Sequence, residues 1–431
     1  MKAPDLLPLL KQIIFGLLDA GVQVVSYSCD GTETERVIQR SLSADADSHI
    51  EFDIASGRDG IPPHQISIPV FRDQPIVMLQ DSKHALKTFR NNLFSGARLL
   101  HFGNYAAFYQ QVRDMAFEEG TPLYHRDVEK LDRQDDNAAS RLFSAPTLHF
   151  LADRHPEEVG LIVYLFIFGE LCDAYQNRSI GHDERILLAL RARIYLCLWE
   201  RYLDNISDSP KRLYFLSREA TDITNFLVDG LISLIVVHRD YIEGSYPLLP
   251  WLHSTEACEH VFGLARQVVK DFTMLDFFFM LRKLEVKLRE AVFNADHRHQ
   301  SEFKARAAGY NHTYLDTHDI DLLSLARFPP QNCIISTASK AADEVDSLIA
   351  LLGIIPSSLH ELTPSIPLPA ITTWFADEDS DSAETESDCE NDAGRLQTTI
   401  RDTEGPEVSS DRSDALTSAA IAIAVDEQIR M

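Results

Sequence analysis

The hydrophobic pattern of this chain changes near residue 100, and the change limits the folds that it can adopt. Up to about residue 95, segments with helical spacing alternate with short β-branched runs such as "VVSYSC", "SHIEFDI", "HQISIPVF" and "PIVMLQ". This alternation predicts a mixed α/β layer. From about 104 to 245 the apolar spacing is almost wholly helical, beginning with "NYAAFYQQVRDMAF". The sequence therefore predicts an α/β layer followed by a large helical region.

Two more long helices are predicted after this region, in "YPLLPWLHSTEACEHVFGLARQVVKDF" and "MLDFFFMLRKLEVKLREAVFNAD". Beyond about residue 300 the pattern weakens, and 376–392 contains nine carboxylates and no basic residue. A segment of this composition buries too little apolar surface to fold. We predict five regions: an α/β part, a helical insertion, the helices that complete the core, a helical or irregular extension, and a disordered acidic tail. Their bounds are 1–95, 96–248, 249–300, 301–370 and 371–431.

Composition excludes several classes of protein. The formal net charge of -26 argues against a protein that coats nucleic acid by bulk charge, although the tail beyond 370 holds 16 of the acidic residues and leaves room for a local basic groove. The longest apolar run, 159–169, is about half the length of a membrane span, so it predicts a buried helix and no membrane partner. The six cysteines form no CxxC pair, which disfavours a zinc knuckle and a disulfide framework.

The stretch "SYSCDGTETER" places Asp30 directly after a buried strand and before a glycine and a helix start. A carboxylate at that end of a strand lies at the sheet edge where open α/β folds have their active sites. Asp30 is therefore a candidate ligand for magnesium, which is held by one or two carboxylates together with substrate phosphates. The alternative is that Asp30 only caps the helix that follows.

In "LQDSKHALKTFRNNL", Asp81 also ends a strand, and the next helix carries a polar stripe. His84, Lys87 and Asn91 recur at spacings of three and four residues, with Arg90 beside them. These spacings place the side chains on one face of a helix. Such a stripe can meet DNA phosphates near a metal site, and a solvated helix face is the alternative.

The stretch "STEACEHVFGLARQ" begins a predicted helix with two glutamates. Ser254 is the predicted N-cap, which puts Glu256 in the first turn, where the helix dipole favours a carboxylate. Glu259 lies one turn deeper and needs another explanation, for which a metal ion is the candidate. On the buried side of the helix we expect Cys258, Val261 and Phe262.

A zinc site is a further alternative in the same stretch. His253, Glu256 and His260 share a helical stripe, and zinc is commonly held by such groups. The spacing is not HExxH, however, so the pattern is a weak indication of zinc.

In this order, the three stretches resemble the catalytic half of the P-element and THAP-type DNA transposases. "VVSYSCDGTETERVIQRSL" resembles the strand that carries the second catalytic Asp of that family. "LQDSKHALKTFRNNL" resembles its Asp-x-x-His-x-x-Lys-x-x-Arg-Asn signature. "STEACEHVFGLARQ" resembles its Gln-Asp-x-x-Glu-x-x-Phe-x-x-x-Arg signature, with Thr and Glu at the first two positions. The resemblance covers roughly residues 5 to 290.

The resemblance implies an RNase H-like mixed sheet, interrupted by a helical insertion before the helix that bears the last carboxylate. It implies cleavage and transfer of DNA strands with magnesium or manganese ions. Asp30 and Glu259 would be catalytic residues and metal ligands. The residues implied to contact nucleic acid are His84, Lys87, Arg90, Asn91 and Arg266.

The resemblance also bears on ligands, partners and location. One branch of the family binds GTP in the insertion, where "FGELCDAYQNR" places Asp173 and Asn177 as the counterparts of its nucleotide-binding residues, although the chain has no Walker-type loop. The implied partners are DNA and a second copy of the chain, with the acidic tail as a segment for protein contacts. The implied location is the nucleus.

The family's first catalytic Asp lies well upstream of the second, and the sequence begins 29 residues before Asp30. We therefore expect an incomplete catalytic set, and DDE-type transposase activity only when an N-terminal part is joined to the chain. The second hypothesis is a non-catalytic nuclear protein that keeps the fold in order to bind DNA or protein.

Overall fold

The computed structural model describes residues 2–58, 61–95, 98–129, 132–205, 211–293 and 320–360. Within these ranges the protein is mixed α/β and mostly helical, as the sequence predicts. The predicted acidic tail, 371–431, lies outside the described residues, and so does the segment 294–319.

In the described part of the chain, seven short strands form three sheets through four pairings. Strand β1 (Ser26–Cys29) is parallel to β5 (Val77–Gln80), with Cys29 opposite Gln80. Strands β2 (Ser48–Ile54), β3 (His64–Phe71) and β4 (Gln74–Pro75) form an antiparallel meander. Only Ile76 separates β4 from β5, and its N–H donates to the carbonyl of Pro69 on β3. The meander therefore leads directly into the parallel pair, and the carboxyl ends of β1 and β5 lie side by side.

Three helices accompany these strands: α1 (Ala3–Asp19), α2 (Glu33–Ala44) and α3 (Ser82–Phe94). Helix α2 begins with a capping box, in which the Thr32 hydroxyl accepts from the backbone of Glu35 and the Glu35 carboxylate accepts from the backbone of Thr32. The predicted alternation of helix and strand through residue 95 is confirmed.

The helical region starts later than the sequence pattern suggests. A β-hairpin, β6 (Leu100–Phe102) and β7 (Tyr105–Ala107), precedes the first helix, so the prediction of a helix from residue 104 is wrong at its start. The turn needs Gly103 in the left-handed region (φ +66°), and the N–H of Asn104 donates to the carbonyl of Leu352. A contact with a distant segment therefore fixes this hairpin.

Eight helices follow between residues 109 and 240: α4 (Tyr109–Ala116), α5 (Arg126–Glu129), α6 (Asp136–Leu142), α7 (Ala145–Arg154), α8 (Val159–Gln176), α9 (His182–Asn205), α10 (Lys211–Tyr214) and α11 (Arg218–Asp240). The stretch "NAASRLFSAPTLHFLAD" is divided between α6 and α7. Ser144 accepts from the N–H of Thr147 and starts the second helix, with Pro146 in its first turn.

Helices α8 and α11 are long and apolar enough to cross a membrane by length and composition alone. They are 89% and 83% buried inside the protein, respectively. Helix α11 packs closely on β5 at Gly230. A Cβ at this position would collide with the Leu79 side chain and lie 3.1 Å from the Met78 carbonyl oxygen. Both are therefore core helices, as the apolar run 159–169 predicts for α8, and no membrane partner is needed to explain them.

The helical region and the strands share one hydrophobic core. A contiguous cluster of buried side chains runs from Ile54 and Leu79 through α8, α9 and α11 to Leu359. The predicted insertion thus packs against the α/β part through its own apolar residues, and its boundaries at 96 and 248 stay sequence-based predictions.

The chain from 246 to 272 is only partly helical. A 3-10 turn (Pro250–Leu252) comes before α12 (Glu256–Val268), and α13 (Met274–Phe293) forms a hairpin with α12. The predicted start of this helix near Ser254 is confirmed to within one residue, and Pro247 and Pro250 remove backbone donors from the segment before it. Helix α14 (Gln331–Leu351) packs on α9, and a short α15 (Pro356–His360) follows.

Candidate metal centre

Asp30 follows β1, and its carboxylate does not cap a helix. The cap of α2 is Thr32, and the N–H of Gly31 donates to the Glu35 carboxylate at 3.0 Å. Gly31 has φ +96°, and a Cβ there would collide with Gln80 Oε1, so this turn requires glycine. The capping alternative for Asp30 is therefore excluded. Its Oδ1 is buried and has no hydrogen-bond partner in the described part of the chain.

Asp81 follows β5 and connects two helix starts. Its Oδ1 accepts from the backbone N–H groups of Lys83 (2.7 Å) and His84 (3.3 Å) and caps α3. Its Oδ2 accepts from the N–H and the hydroxyl of Thr255, both at 2.9 Å. Buried carboxylates that accept several hydrogen bonds are well satisfied. Asp81 thus fixes the start of α12 against the strand end beside Asp30.

Two further contacts hold the same end of α12. The Ser26 hydroxyl lies 2.8 Å from His253 Nδ1, and the Ser28 hydroxyl donates to the His253 carbonyl at 3.1 Å. Burial lowers the pKa of His253 to about 4, with the charge of His238 contributing in the same direction. A neutral imidazole is therefore favoured at this joint.

Glu256 has a structural role, as the sequence predicts. Its carboxylate is largely buried and lies 2.8 Å from the Lys83 ammonium on α3. The predicted N-cap is wrong by one residue: the cap position is Thr255, although the Ser254 hydroxyl accepts from the N–H of Glu256 at 3.3 Å. The Thr255 side chain makes no capping hydrogen bond, and the ion pair between Lys83 on α3 and Glu256 on α12 supplies part of the stabilisation that such a cap provides.

Glu259 faces outward from α12, contrary to the predicted surroundings. The buried residues of the helix are His260, Gly263 and Ala265. Cys258 and Phe262, expected on the buried side, are both exposed. The reason is the orientation set by Asp81 and Lys83, which turns Glu259 toward the carboxyl ends of β1 and β5.

Asp30, His84 and Glu259 converge at this edge. His84 Nε2 lies 3.1 Å from Glu259 Oε1 and 3.4 Å from Asp30 Oδ1. One potential ligand atom from each residue lies within 4.8 Å of the other two. The side chains are 39%, 22% and 52% exposed in that order, so the group is open to solvent on one side. Within the described ranges this is the one group of three such side chains with metal-ligand spacing.

These groups fit a divalent cation. Two carboxylates and an imidazole are common protein ligands, and the unpartnered Oδ1 of Asp30 is an acceptor without a donor. The structure brings together Asp30 and Glu259, the two residues predicted as ligands. His84 was predicted to contact DNA phosphates and not to bind a metal ion. Its position three residues after Asp81, which ends a strand, is the sequence feature that could have indicated a role at the site.

The predicted stripe on α3 is not a solvent-facing surface. Lys87 is buried and its ammonium lies 2.9 Å from Asp136. Arg90 is 1% exposed and donates to backbone carbonyls of the segment that precedes α6. Burial lowers the pKa of Arg90, although neighbouring aspartates oppose the shift. Two predictions are therefore wrong for these two side chains, the one that they contact DNA and the one that they face solvent. The reason is that α6 and the segment before it cover them.

The remaining nucleic-acid candidates lie at the surface. Asn91 donates to the Arg133 carbonyl at 3.4 Å. Arg266 is exposed in the last turn of α12, on the same helix as Glu259. Their contact with nucleic acid stays a prediction.

The predicted nucleotide residues lie in the protein interior. Asp173 and Asn177 are buried near the end of α8. Asn177 accepts from the backbone and hydroxyl of Ser179, and its carbonyl accepts from Arg185. These contacts give Asn177 a structural role at the end of the helix, and GTP binding stays a prediction.

The alternative zinc stripe is not assembled. His253 bonds to Ser26, Glu256 pairs with Lys83, and His260 Nε2 is 4.0 Å from Glu256 Oε1. Helix α12 begins only at Glu256, so His253 is not on the helical stripe with the other two.

Comparison of the chain with family models, with curated proteins and with solved structures finds no match.

Proposed function

We propose that this protein is a transposase-derived domain with an RNase H-like core, related to enzymes that cleave and transfer DNA strands with divalent metal ions. The observation that carries the proposal is the approach of Asp30 and Glu259 across a long stretch of sequence to the same sheet edge, on either side of His84. The resemblance of three ordered motifs to the P-element and THAP-type transposases supports the same function.

The residues of the site have separable roles in this proposal. Asp30 and Glu259 would hold the cation, which polarises a phosphodiester and activates an attacking oxygen. The start of α12 is held against the ends of β1 and β5 by contacts from Ser26, Asp81 and Lys83. In this proposal these three residues position the two carboxylates and do not contact DNA. Arg266 on the exposed side of α12 would contact the DNA backbone. The proposed location is the nucleus.

Because we expect activity only when an N-terminal part supplies the missing carboxylate, the direct test is nicking of supercoiled plasmid by the chain extended upstream by such a part, with Mg²⁺ and Mn²⁺ compared. The wild type is expected to nick, and both Asp30→Asn and Glu259→Gln are expected to fall to the background rate. Glu285→Gln, which changes an exposed glutamate on α13, is the matched control and should match the wild type. Equal nicking by wild type and Glu259→Gln, or no nicking by the wild type, would reject cleavage by this chain.

A second candidate is a non-catalytic nuclear protein that binds DNA or protein. It is favoured by the internal pairing of Lys87 and Arg90, which serve the scaffold and not a substrate. In this case, binding of duplex DNA should survive the Asp30→Asn and Glu259→Gln double change. Loss of DNA binding in the double variant would count against it.

A further inference from the structure

We propose that His84 is a metal ligand, and that Asp30, His84 and Glu259 together bind one divalent transition-metal ion of the zinc and cobalt(II) class in preference to magnesium. This inference rests on the proposed function in placing a metal ion between Asp30 and Glu259. It goes further by adding a nitrogen ligand and by naming the class of metal.

Two of the three distances between the ligand atoms match a small tetrahedral centre, and the third, between the two carboxylate oxygens, is within 4.8 Å. Ligand atoms about 2.0–2.1 Å from one zinc ion lie about 3.3 Å from each other. His84 Nε2 is 3.1 Å from Glu259 Oε1 and 3.4 Å from Asp30 Oδ1. Three protein ligands leave one position of a tetrahedron for water or a substrate oxygen, on the side where the three side chains are open to solvent.

The hydrogen bonding around His84 is incomplete without an ion. Nε2 of a neutral imidazole carries at most one proton, which cannot satisfy both carboxylates. Asp30 Oδ1 accordingly stays buried with no hydrogen-bond partner among the described residues. A cation at the centre of the three groups would satisfy both carboxylates and the nitrogen at once.

The kind of ligand decides the kind of metal. Imidazole suits zinc, cobalt, nickel, iron and copper, whereas magnesium takes an octahedral shell of oxygen atoms. A site with one nitrogen and two carboxylates therefore favours a transition metal. Replacing the imidazole by a third carboxylate would return the site to an all-oxygen set.

The three ligands come from three separate elements. Asp30 follows β1, His84 lies in the first turn of α3, and Glu259 lies in α12. Hydrogen bonds to Asp81 fix the backbone of His84 and the start of α12. A bound ion would tie α12 to the sheet edge, so metal binding should raise the thermal stability of the protein.

The test measures binding of the metal alone to the full chain, by calorimetric titration with Co²⁺, Zn²⁺ and Mg²⁺ and by the visible spectrum of the Co²⁺ form. The wild type should bind one equivalent of Co²⁺ more than about tenfold more tightly than Mg²⁺, with the intense visible bands of a tetrahedral ion. His84→Ala and His84→Gln should lose that preference and the bands. His84→Asp should bind Mg²⁺ more tightly than the wild type does.

Two controls separate this site from adventitious binding. His49→Ala removes an exposed imidazole on β2 and should bind Co²⁺ as the wild type does. Cys258→Ser removes an exposed thiol next to Glu259 and should leave the preference unchanged. Circular dichroism of each variant confirms that it is folded.

The outcomes for His84 and for the proposed function are distinguishable. Co²⁺ binding that is unchanged in both folded His84 variants would overturn the role of His84 and leave the Asp30–Glu259 function intact. Binding that needs His84, without nicking of DNA by any metal-loaded form, would support the site and reject the cleavage activity. The absence of metal binding by the wild type would overturn both.

Discussion

The helical interior and the α12–α13 hairpin are held in very different ways. In α8 16 of the 18 residues are buried, in α11 15 of the 23 are, and both helices belong to the cluster of apolar residues that runs through the protein. The hairpin buries few residues, and Phe278 and Phe279 are 60% and 82% exposed. Helix α12 nevertheless carries Glu259, one of the three side chains at the candidate metal centre.

Different forces therefore stabilise the interior and position the candidate site. Apolar burial holds the interior, and its contribution scales with the buried area. The hairpin is held at its base by polar contacts, through Asp81 to Thr255, Lys83 to Glu256 and Ser26 to His253. Polar contacts are directional, so they can set the orientation of Glu259 without a large core.

The largest expected effect comes from a matched pair of phenylalanines. Phe168 is fully buried in α8 with its ring centroid 4.5 Å from that of Phe89, whereas Phe279 is exposed. Phe168→Ala should lower the free energy of unfolding by about 3–5 kcal/mol. Phe279→Ala should change it by less than about 0.5 kcal/mol. Equal losses in urea unfolding would contradict the contrast between the two regions.

A smaller effect is expected on acidification, at the base of the hairpin. Burial lowers the pKa of His253 to about 4 from 6.5. As the pH falls, this histidine is therefore protonated at a higher pH in the unfolded chain than in the folded protein. The contribution of this histidine to stability is complete above pH 6.5 and is lost as the pH falls toward 4. The loss should reach up to about 3 kcal/mol, at 1.36 kcal/mol per pKa unit.

Urea unfolding between pH 7 and 4 measures this effect. His253→Gln should reduce the slope of unfolding free energy against pH, and His125→Gln, which changes an exposed ring, should not. His182, whose pKa burial also lowers to about 4, should contribute a second part of the slope. An unchanged slope in His253→Gln would show that the joint does not depend on a neutral imidazole.

The smallest effect on stability separates two aspartates that both cap helices. Asp81→Ala removes the cap of α3 and the link to Thr255, and should cost about 1–3 kcal/mol. Asp135→Ala removes the cap of α6 and no contact with α12, and should cost about 1 kcal/mol. Calorimetric titration with Co²⁺ should show weaker binding for Asp81→Ala alone. Equal metal affinities in the two variants would mean that Asp81 does not position the site.

Much of the fold could be predicted where one local pattern dominated. The strands around Asp30 and Asp81, the helices α8, α9, α11 and α13, and the burial of 159–169 all follow from hydrophobic spacing. The predictions were wrong where a distant contact decided the local structure, as at Asn104 against Leu352, or where packing decided which face of α12 is buried. The spacing of residues along a helix or strand indicates which side chains share a face of that element, but it does not indicate which other element packs on that face.

Sequence reasoning alone identified Glu259 as a carboxylate that a helix terminus does not explain, left Asp30 as either a metal ligand or a helix cap, and supplied the motifs that resemble a transposase. The packing of the folded chain excludes the cap, places His84 between the two carboxylates and encloses Arg90 with carbonyls before α6. Both side chains belong to one polar stripe on α3 in the sequence. Their different surroundings come from the elements that pack on either end of that helix, which are encoded far away in the chain.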